Sequence, residues 1–292
     1  MSLRIAILGD IVGTPGRMAV AQCMGELRRR YEPDLVIANA ENAANGSGLT
    51  PALHQKLVDA GVDAMTLGDH VYKRKEIVKT LESDAAIIRP ANLPRSAAGR
   101  TWMRLTPPRA GYRGPGVYVV TLLGRLFMNL PVNHPFEVID QVLGQLPEKN
   151  GIVIVEVHAE ATSEKQALGW YLNGRVAAVF GSHTHVPTAD ARILPTQPTH
   201  DRAGAQPALG AVGGTAYISD IGMCGPYDSV LGRRIDRVLT HMTTSMPAPF
   251  DVAEGDPRLS GIILDIDETT GRSTAIERFD LPADVRKPPF SG

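Results

Sequence analysis

Short apolar runs alternate with helical stretches along the first third of the chain. The runs at residues 3–8, 34–38 and 62–67 are rich in Val, Ile, Leu and Ala, which is typical of strands buried on both faces of a sheet. The stretches between them, residues 17–30 and 51–60, predict helices. Strands that alternate with helices predict an α/β fold.

The same alternation continues to the C-terminal third. Apolar runs predict strands at residues 85–88, 117–123, 151–157, 176–180 and 215–219, and periodic stretches predict helices at 76–81, 135–146, 162–172 and 233–243. Two further runs, 259–266 and 273–279, flank a turn and predict an antiparallel hairpin. We expect helix 162–172 to be the crossover that makes the strands on either side of it parallel neighbours.

Segments rich in Gly and Pro interrupt this pattern. Residues 95–115 predict a crossing over the surface, and residues 196–214 predict a surface-loop insertion because Gly, Pro, Ala and Gln dominate without any periodicity. A short tail is expected from about residue 281. Because the chain has neither repeats nor a segment of linker composition, we expect residues 1–292 to form a single domain.

Several predicted strands end in side chains that can bind metals or protons. Asp10 follows the first strand, Glu41 and Asn42 follow the second, and Asp69 and His70 follow the third. The carboxyl ends of parallel strands meet at one edge of a sheet, where ligands bind in open α/β folds. These side chains are therefore expected to gather at one site.

Three histidines lie at the ends of the two strands in the middle of the chain. His158 follows the run 151–157 directly, while His183 and His185 follow the next run after a Gly-Ser pair. A single histidine at a strand end is more commonly a hydrogen-bonded structural residue, but three at neighbouring strand ends favour a site. In an extended backbone His183 and His185 would face opposite ways, whereas a loop could aim both at one point or at two metals.

Composition limits the classes of partner. Of the 292 residues, 43% are hydrophobic and 21% are charged, and the net charge of −1 gives no basic field for long nucleic acids. The two cysteines offer neither zinc spacing nor a disulfide framework, which fits a cytoplasmic protein. No apolar run approaches the roughly 18 residues that span a bilayer, so we expect no membrane partner.

The ratio of carboxylates to imidazoles at the strand ends indicates a transition-metal site. Such a mixture suits Mn²⁺, Fe or Zn²⁺, and the number of donors exceeds what one catalytic ion with an open position needs. Two ions are therefore expected. A close pair of ions bridged by a carboxylate and a water creates a hydroxide at neutral pH and binds both the attacking and the leaving oxygen of a phosphoryl group.

Six segments of the chain resemble the YmdB-like family of calcineurin-type metallophosphoesterases. They are GDIVGTPGR, ENAANGSGLT, GDH, RPANLP, HAEATSEKQALGWYLNGRVAAVFGSHTHVPTADARILP and TAYISDIGMCGPYDSVLG, within a match from residue 3 to about residue 279. The resemblance implies a four-layer αββα sandwich of two mixed β-sheets flanked by helices, with a dinuclear metal site on one edge. It also implies phosphodiesterase activity on small nucleotides, including 2′,3′-cyclic nucleotides.

The resemblance assigns roles to individual residues. It implies that one metal is held by Asp10, His185 and Glu41, and that Glu41 bridges to a second metal held by Asp69, His158 and His183. Asn42 corresponds to a pocket residue that binds substrate, and His70 to the histidine that protonates the leaving oxygen. We expect two divalent ions, with Fe or Mn favoured and Zn or Mg as alternatives, a small nucleotide or phosphate ester as substrate, and a homo-oligomer.

The chain departs from the family pattern at two places. Asp69 stands where the family usually has Asn, and the 196–214 loop is longer than the family's turn. Two other functions stay open: a phosphomonoesterase, and a regulatory protein that binds a nucleotide or a protein with slow turnover. Glu160 and Asp190, which lie near the ligands in sequence, are interpreted as structural or solvated acids.

Overall fold

The structure is a computed structural model that describes residues 2–195 and 214–284. Its strands are β1 (Ser2–Leu8), β2 (Asp10–Ile11), β3 (Leu35–Asn39), β4 (Ala64–Thr66), β5 (Ile87–Ile88), β6 (Trp102–Leu105), β7 (Val117–Leu123), β8 (Ile152–His158), β9 (Ala178–Ser182), β10 (Arg192–Ile193), β11 (Ala216–Ile218), β12 (Met223–Asp228), β13 (Gly255–Asp267) and β14 (Arg272–Pro282). Its α-helices are α1 (Gly13–Tyr31), α2 (Pro51–Asp59), α3 (Val78–Ser83), α4 (Pro135–Gln145), α5 (Thr162–Leu172) and α6 (Ile235–Thr244). None of these helices is long and apolar enough to cross a membrane.

The first sheet contains eight of the described strands. Its order is β2-β12-β13-β1-β3-β4-β5, with β14 paired to β13. Strands β1, β3, β4 and β5 run parallel, and α1 and α2 connect the first three of them. Strand β13 runs antiparallel to β1, so the sheet is mixed, and its antiparallel pairing with β14 confirms the predicted hairpin.

The second sheet has the order β10-β11-β9-β8-β7-β6 among the described strands. Strands β7, β8, β9 and β11 are parallel, while β6 and β10 pair antiparallel at the two edges. Helix α5 connects β8 to β9, which confirms the predicted crossover. His158 therefore ends one strand, and the segment with His183 and His185 follows its direct neighbour.

Three apolar layers hold the elements together. The middle layer lies between the sheets, where Leu35 and Ile37 of β3 meet the same core as Ile152 and Ile154 of β8. A second layer packs α1 and α2 on the outer face of the first sheet, and a third packs α4 and α5 on the outer face of the second. The arrangement confirms the predicted four-layer αββα sandwich.

Some elements differ from the sequence prediction. Strand β12 occupies a Gly-rich segment in which no strand was predicted; its pairing with β2 and β13 gives it partners that lie far away in sequence. Strand β6 lies inside the predicted surface crossing 95–115 and pairs with β7. Except for Gly214, the predicted loop 196–214 lies outside the described residues, and so does the tail beyond residue 284.

Candidate metal centre

The strand-end side chains meet at one edge of the sandwich. Glu41, Asp69, His158 and His183 each offer one ligand atom, and these four atoms all lie within 4.8 Å of one another. Glu41 and Asp69 follow strands of the first sheet, whereas the two histidines come from the second. The cluster therefore depends on the packing of the two sheets.

The distances in this group are those of side chains that point at a common centre. His158 Nε2 lies 3.1 Å from Glu41 Oε1 and 3.0 Å from Asp69 Oδ1. His183 Nδ1 lies 3.1 Å from His158 Nε2 and 3.4 Å from Asp69 Oδ1. A Cβ on Gly68 would collide with His158 Nε2 and Glu41 Oε2, so the glycine of the GDH motif makes room for the group.

Asp10 and His185 lie beside this group. His185 Nε2 is 3.7 Å from Asp10 Oδ2 and 3.1 Å from Asn42 Nδ2, and Asn42 Nδ2 is 3.4 Å from Glu41 Oε1. Asn42 Nδ2 therefore links His185 to Glu41 of the compact group. Asp10 can also form a group with Glu156 and His158 whose ligand atoms lie within 4.8 Å of one another.

The buried carboxylate of Asp10 fits a cation. The side chain is fully buried, and its Oδ1 has no hydrogen-bond partner among the described residues. Burial raises the pKa of Asp10 well above its ordinary value. Because a buried, incompletely satisfied carboxylate is costly, a divalent ion at this place would stabilise it.

His185 is prepared to act as a neutral ligand. Its Nδ1 lies 3.0 Å from the carbonyl oxygen of Leu231, so Nδ1–H donates there and the lone pair of Nε2 faces Asp10. Burial lowers the pKa of His185 to about 4. The imidazole is therefore uncharged at neutral pH, as metal coordination requires.

The backbone explains how His183 and His185 reach the same site. Both have left-handed conformations, with φ of 89° and 61°. Such conformations cost roughly 1–3 kcal/mol each for residues other than Gly, and they persist only where the surroundings impose them. An extended strand would have separated the two rings, so the strain is what brings them together.

A buried polar network fixes the ring of His158. Its Nδ1 lies 2.9 Å from Ser182 Oγ, and the Ser182 hydroxyl donates to Glu156 Oε1 at 2.6 Å. Glu156 also accepts from Asn39 Nδ2 at 2.7 Å and from Thr121 Oγ1 at 2.9 Å. Because the Ser182 hydroxyl is used on Glu156, its oxygen accepts from Nδ1–H of His158, and Nε2 keeps its lone pair for the cluster.

We did not single out this network from the sequence. Glu156 was included in an apolar strand run, although a carboxylate in such a run is itself a signal because it must be satisfied when buried. Ser182 and Asn39 had no comparable signal. Asn39 lies 117 residues from Glu156 in sequence, and only the packing of the sheets joins them.

Asp69 is part of the cluster and carries a charge. Burial acts to raise the pKa of Asp69, but the contacts of its carboxylate with the His158 and His183 rings outweigh burial and lower it. The side chain is 22% exposed and points at the ligand group. The departure from the family's Asn therefore adds a negative charge inside the site.

His70 lies at the edge of the cluster. Its Nδ1 is 2.7 Å from Asn42 Oδ1, its backbone N–H donates to Glu41 Oε2, and its ring is 27% exposed. Its Nε2 lies 3.7 Å from Asp69 Oδ2. Asn42 thus holds both His70 and His185, which places it between the exposed ring and the buried ligands.

The two neighbouring acids differ in their contacts. Asp190 accepts from Ser219 and Thr188, in agreement with its interpretation as a structural acid. Glu160 is half exposed, but its Oε2 lies 3.4 Å from Nε2 of His183. This contact orients the His183 ring with Nδ1 towards the cluster, a role that the sequence did not indicate.

Comparison with known proteins places the chain in a family. A family model described as YmdB-like protein matches residues 6–279. The 2′,3′-cyclic-nucleotide 2′-phosphodiesterase of Bacillus subtilis (strain 168) is 40% identical over 276 residues, which cover 94% of this chain and 96% of the relative.

Two solved structures have the same fold. The crystal structure of a hypothetical protein from Thermus thermophilus superposes with a TM-score of 0.83 at 39% identity, covering 97% of this chain and all of that one. That of a novel phosphatase from Mycoplasma pneumoniae gives a TM-score of 0.84 at 30% identity, covering 98% and 96%. The chain belongs to the YmdB-like protein family.

Proposed function

We propose that this protein is a metal-dependent phosphodiesterase that hydrolyses small phosphodiesters such as 2′,3′-cyclic nucleotides. The observation that carries the proposal is the convergence of three carboxylates and three imidazoles on one edge of the sandwich, with Asp10 buried and incompletely paired. The full-length similarity to a 2′,3′-cyclic-nucleotide 2′-phosphodiesterase supports the reaction class.

The geometry supports two ion positions. One would be held by Glu41, Asp69, His158 and His183, whose ligand atoms form the compact group. The other would be held by Asp10 and His185 together with Glu41, which Asn42 links to His185. Fe or Mn is favoured, with Zn or Mg as alternatives. When bound, such a pair of ions lowers the pKa of a water and neutralises charge on the phosphate.

His70 is proposed as the general acid for the leaving oxygen. Its ring is partly exposed and its Nε2 lies 3.7 Å from Asp69 Oδ2, while Asn42 Oδ1 lies 2.7 Å from its Nδ1. A group placed beside the ions without belonging to the compact group can carry a proton to the departing oxygen. Asn42 would then orient this acid as well as contact the substrate.

We propose that the protein is a cytoplasmic homo-oligomer. Helix α6 exposes Ile235, Leu239 and Met242 on one face, with Met242 72% exposed, and apolar faces of this kind are typical of protein contact surfaces. Light scattering coupled to gel filtration tests the assembly, and a monomer at micromolar concentration would contradict it.

The function is tested with metal-replete protein prepared without oxygen. We expect Mn²⁺- or Fe²⁺-loaded protein to hydrolyse 2′,3′-cyclic AMP, and Glu41→Ala to remove the activity together with bound metal. Glu26→Ala, on the surface of α1, is the matched control and should retain both. Hydrolysis that is unchanged by EDTA or by Glu41→Ala would contradict the proposal.

A phosphomonoesterase is the second candidate. The structural relative from Mycoplasma pneumoniae, 30% identical to this chain, is described as a phosphatase. Initial rates on bis-nitrophenyl and mono-nitrophenyl phosphate separate the two functions. A preference for the monoester across all tested metals would favour this candidate.

A further inference from the structure

A buried ion pair lies directly behind the GSHTH segment. Lys165 of α5 and Asp220, which follows β11, are both almost completely buried, and Lys165 Nζ lies 2.8 Å from Asp220 Oδ2. Neither residue contributes to the ligand groups described above. A buried pair of this kind is seldom retained for stability alone, because desolvating two charges offsets most of their attraction.

The pair binds the residue between the two histidines. Thr184 donates its hydroxyl to Asp220 Oδ2 at 2.6 Å and directs its backbone N–H to the same oxygen at 3.3 Å. Lys165 Nζ also lies 3.3 Å from Thr184 Oγ1. Three contacts therefore converge on Thr184, and His183 and His185 on either side have the left-handed conformations.

The surrounding chain fixes the ion pair in turn. The other carboxylate oxygen of Asp220 accepts from the backbone N–H of Gly222 at 2.8 Å. A Cβ on Gly181 would collide with the carbonyl of Ser219 and lie 2.7 Å from Lys165 Cδ, so the glycine of GSHTH allows the lysine stem to pass. The ammonium group thus reaches a place determined by β9 and by the segment after β11.

We infer that Lys165 and Asp220 are positioning residues, which hold Thr184 so that His183 and His185 both face the metal centre. Two strained residues need surroundings that impose their conformation, and the ion pair supplies them through its contacts with Thr184. On the side of the site, the backbone N–H of His183 donates to Asp10 Oδ2 at 2.9 Å, a contact that orients His183. The inference rests on the proposed metal centre and adds the ion pair that positions two of its histidines.

Substitutions at Thr184 test the inference without altering a ligand. Thr184→Val keeps the shape of the side chain but removes the hydroxyl, and we expect it to weaken Mn²⁺ binding about 10–100-fold, the usual effect of losing a group that orients a ligand. Thr184→Ser restores the hydroxyl and should return the affinity to within about threefold of the parent. Calorimetric titration of metal-free protein with MnCl₂ measures both.

The ion pair itself is tested by a neutral double substitution. Lys165→Met alone leaves a buried carboxylate unpaired, so the variant to use is Lys165→Met/Asp220→Asn, with thermal unfolding in EDTA to verify that it folds. We expect it to lose Mn²⁺ affinity to the same degree as Thr184→Val. Parental Mn²⁺ affinity in Thr184→Val, or in the folded double variant, would overturn the inference. Parent protein that binds Mn²⁺ but hydrolyses no phosphate ester would overturn the proposed function and leave the inference standing.

Discussion

Two hydroxyl groups donate to the same buried carboxylate, yet they differ in their relation to a proposed metal ligand. Ser182 Oγ and Thr121 Oγ1 lie 2.6 Å and 2.9 Å from the oxygens of Glu156, and both residues are fully buried. Ser182 also contacts His158 Nδ1 at 2.9 Å, whereas the hydroxyl of Thr121 is directed to Glu156. Ser182→Ala and Thr121→Val therefore form a matched pair of deletions.

Both variants should lose stability. Each removes one hydrogen bond to the Glu156 carboxylate, which contributes roughly 1.5–3 kcal/mol, and Ser182→Ala also removes the hydrogen bond from His158 Nδ1–H, so it should be the less stable of the two. For a chain of this size, about 1 kcal/mol shifts the unfolding midpoint by roughly 2–4 °C. We therefore expect both metal-free proteins to unfold about 3–12 °C below the parent.

Their metal affinities should differ. In Ser182→Ala, His158 loses the acceptor of its Nδ1–H, so the ring can rotate or place its proton on Nε2 and withdraw the lone pair from the cluster. Loss of such an orienting group typically weakens metal binding about 10–100-fold, or roughly 1.4–2.7 kcal/mol. Thr121→Val should stay within about twofold of the parent.

Calorimetric titration of each metal-free protein with MnCl₂ measures the difference. If Mn²⁺ affinity fell equally in the two variants, Glu156 and its partners would affect metal binding only through the stability of the fold. No weakening in Ser182→Ala would show that the His158 tautomer does not depend on this hydroxyl. Either result would refute the argument that the polar network prepares His158 for metal.

Three further predictions address individual residues. His70→Ala should lower turnover roughly 10²–10⁴-fold on substrates with poor leaving groups and much less on nitrophenyl esters, with unchanged metal content; equal losses on both would contradict its role as general acid. Burial lowers the pKa of His54, and the nearby Asp84 opposes this shift. Below about pH 6.5, the His54 side chain is therefore protonated more readily in the unfolded chain than in the native protein, so the free energy of unfolding falls as the pH falls. His54→Gln should flatten the fall in melting temperature between about pH 7.5 and 5.5, and an unchanged slope would contradict this. Asp69→Asn should keep both metals and lower KM, and loss of a metal would show that the carboxylate is required.

Local sequence patterns predict the helices and strands that have strong hydrophobic periodicity. They do not predict strands that form only because distant segments pair with them. Strand β7 and helix α5 have the predicted bounds because their side-chain patterns are unambiguous. Strand β12 contains Gly and Pro and resembles a loop locally, but β13 and β2 supply its hydrogen bonds from distant parts of the chain. A single segment carries no information about such partners.

The candidate site likewise has features that the sequence predicts and features that it does not. Its donors could be identified because they follow strands directly, and the fold places strand ends at one edge. Their orientation could not, because it depends on the left-handed backbone at His183 and His185 and on partners such as Lys165, whose position in a helix looks like that of an ordinary solvated lysine. The missing information is the packing of α5 against the segment after β11.

In the proposed metal centre, we expect the charge of Asp69 to shift the balance between metal binding and substrate affinity. Asp69 faces the cluster, because its Oδ1 lies 3.0 Å from His158 Nε2, and its pKa is lowered. Asp10, Glu41 and Asp69 thus contribute three carboxylates, where an Asn at position 69 would leave two. Because a carboxylate attracts a cation and repels an anionic phosphate, the extra charge favours metal retention over substrate affinity. Asp69 Oδ1 also contacts the His158 and His183 rings, but Ser182 and Thr184 contact this segment from other positions, so we expect Asp69→Asn to alter affinity more than the geometry of the centre.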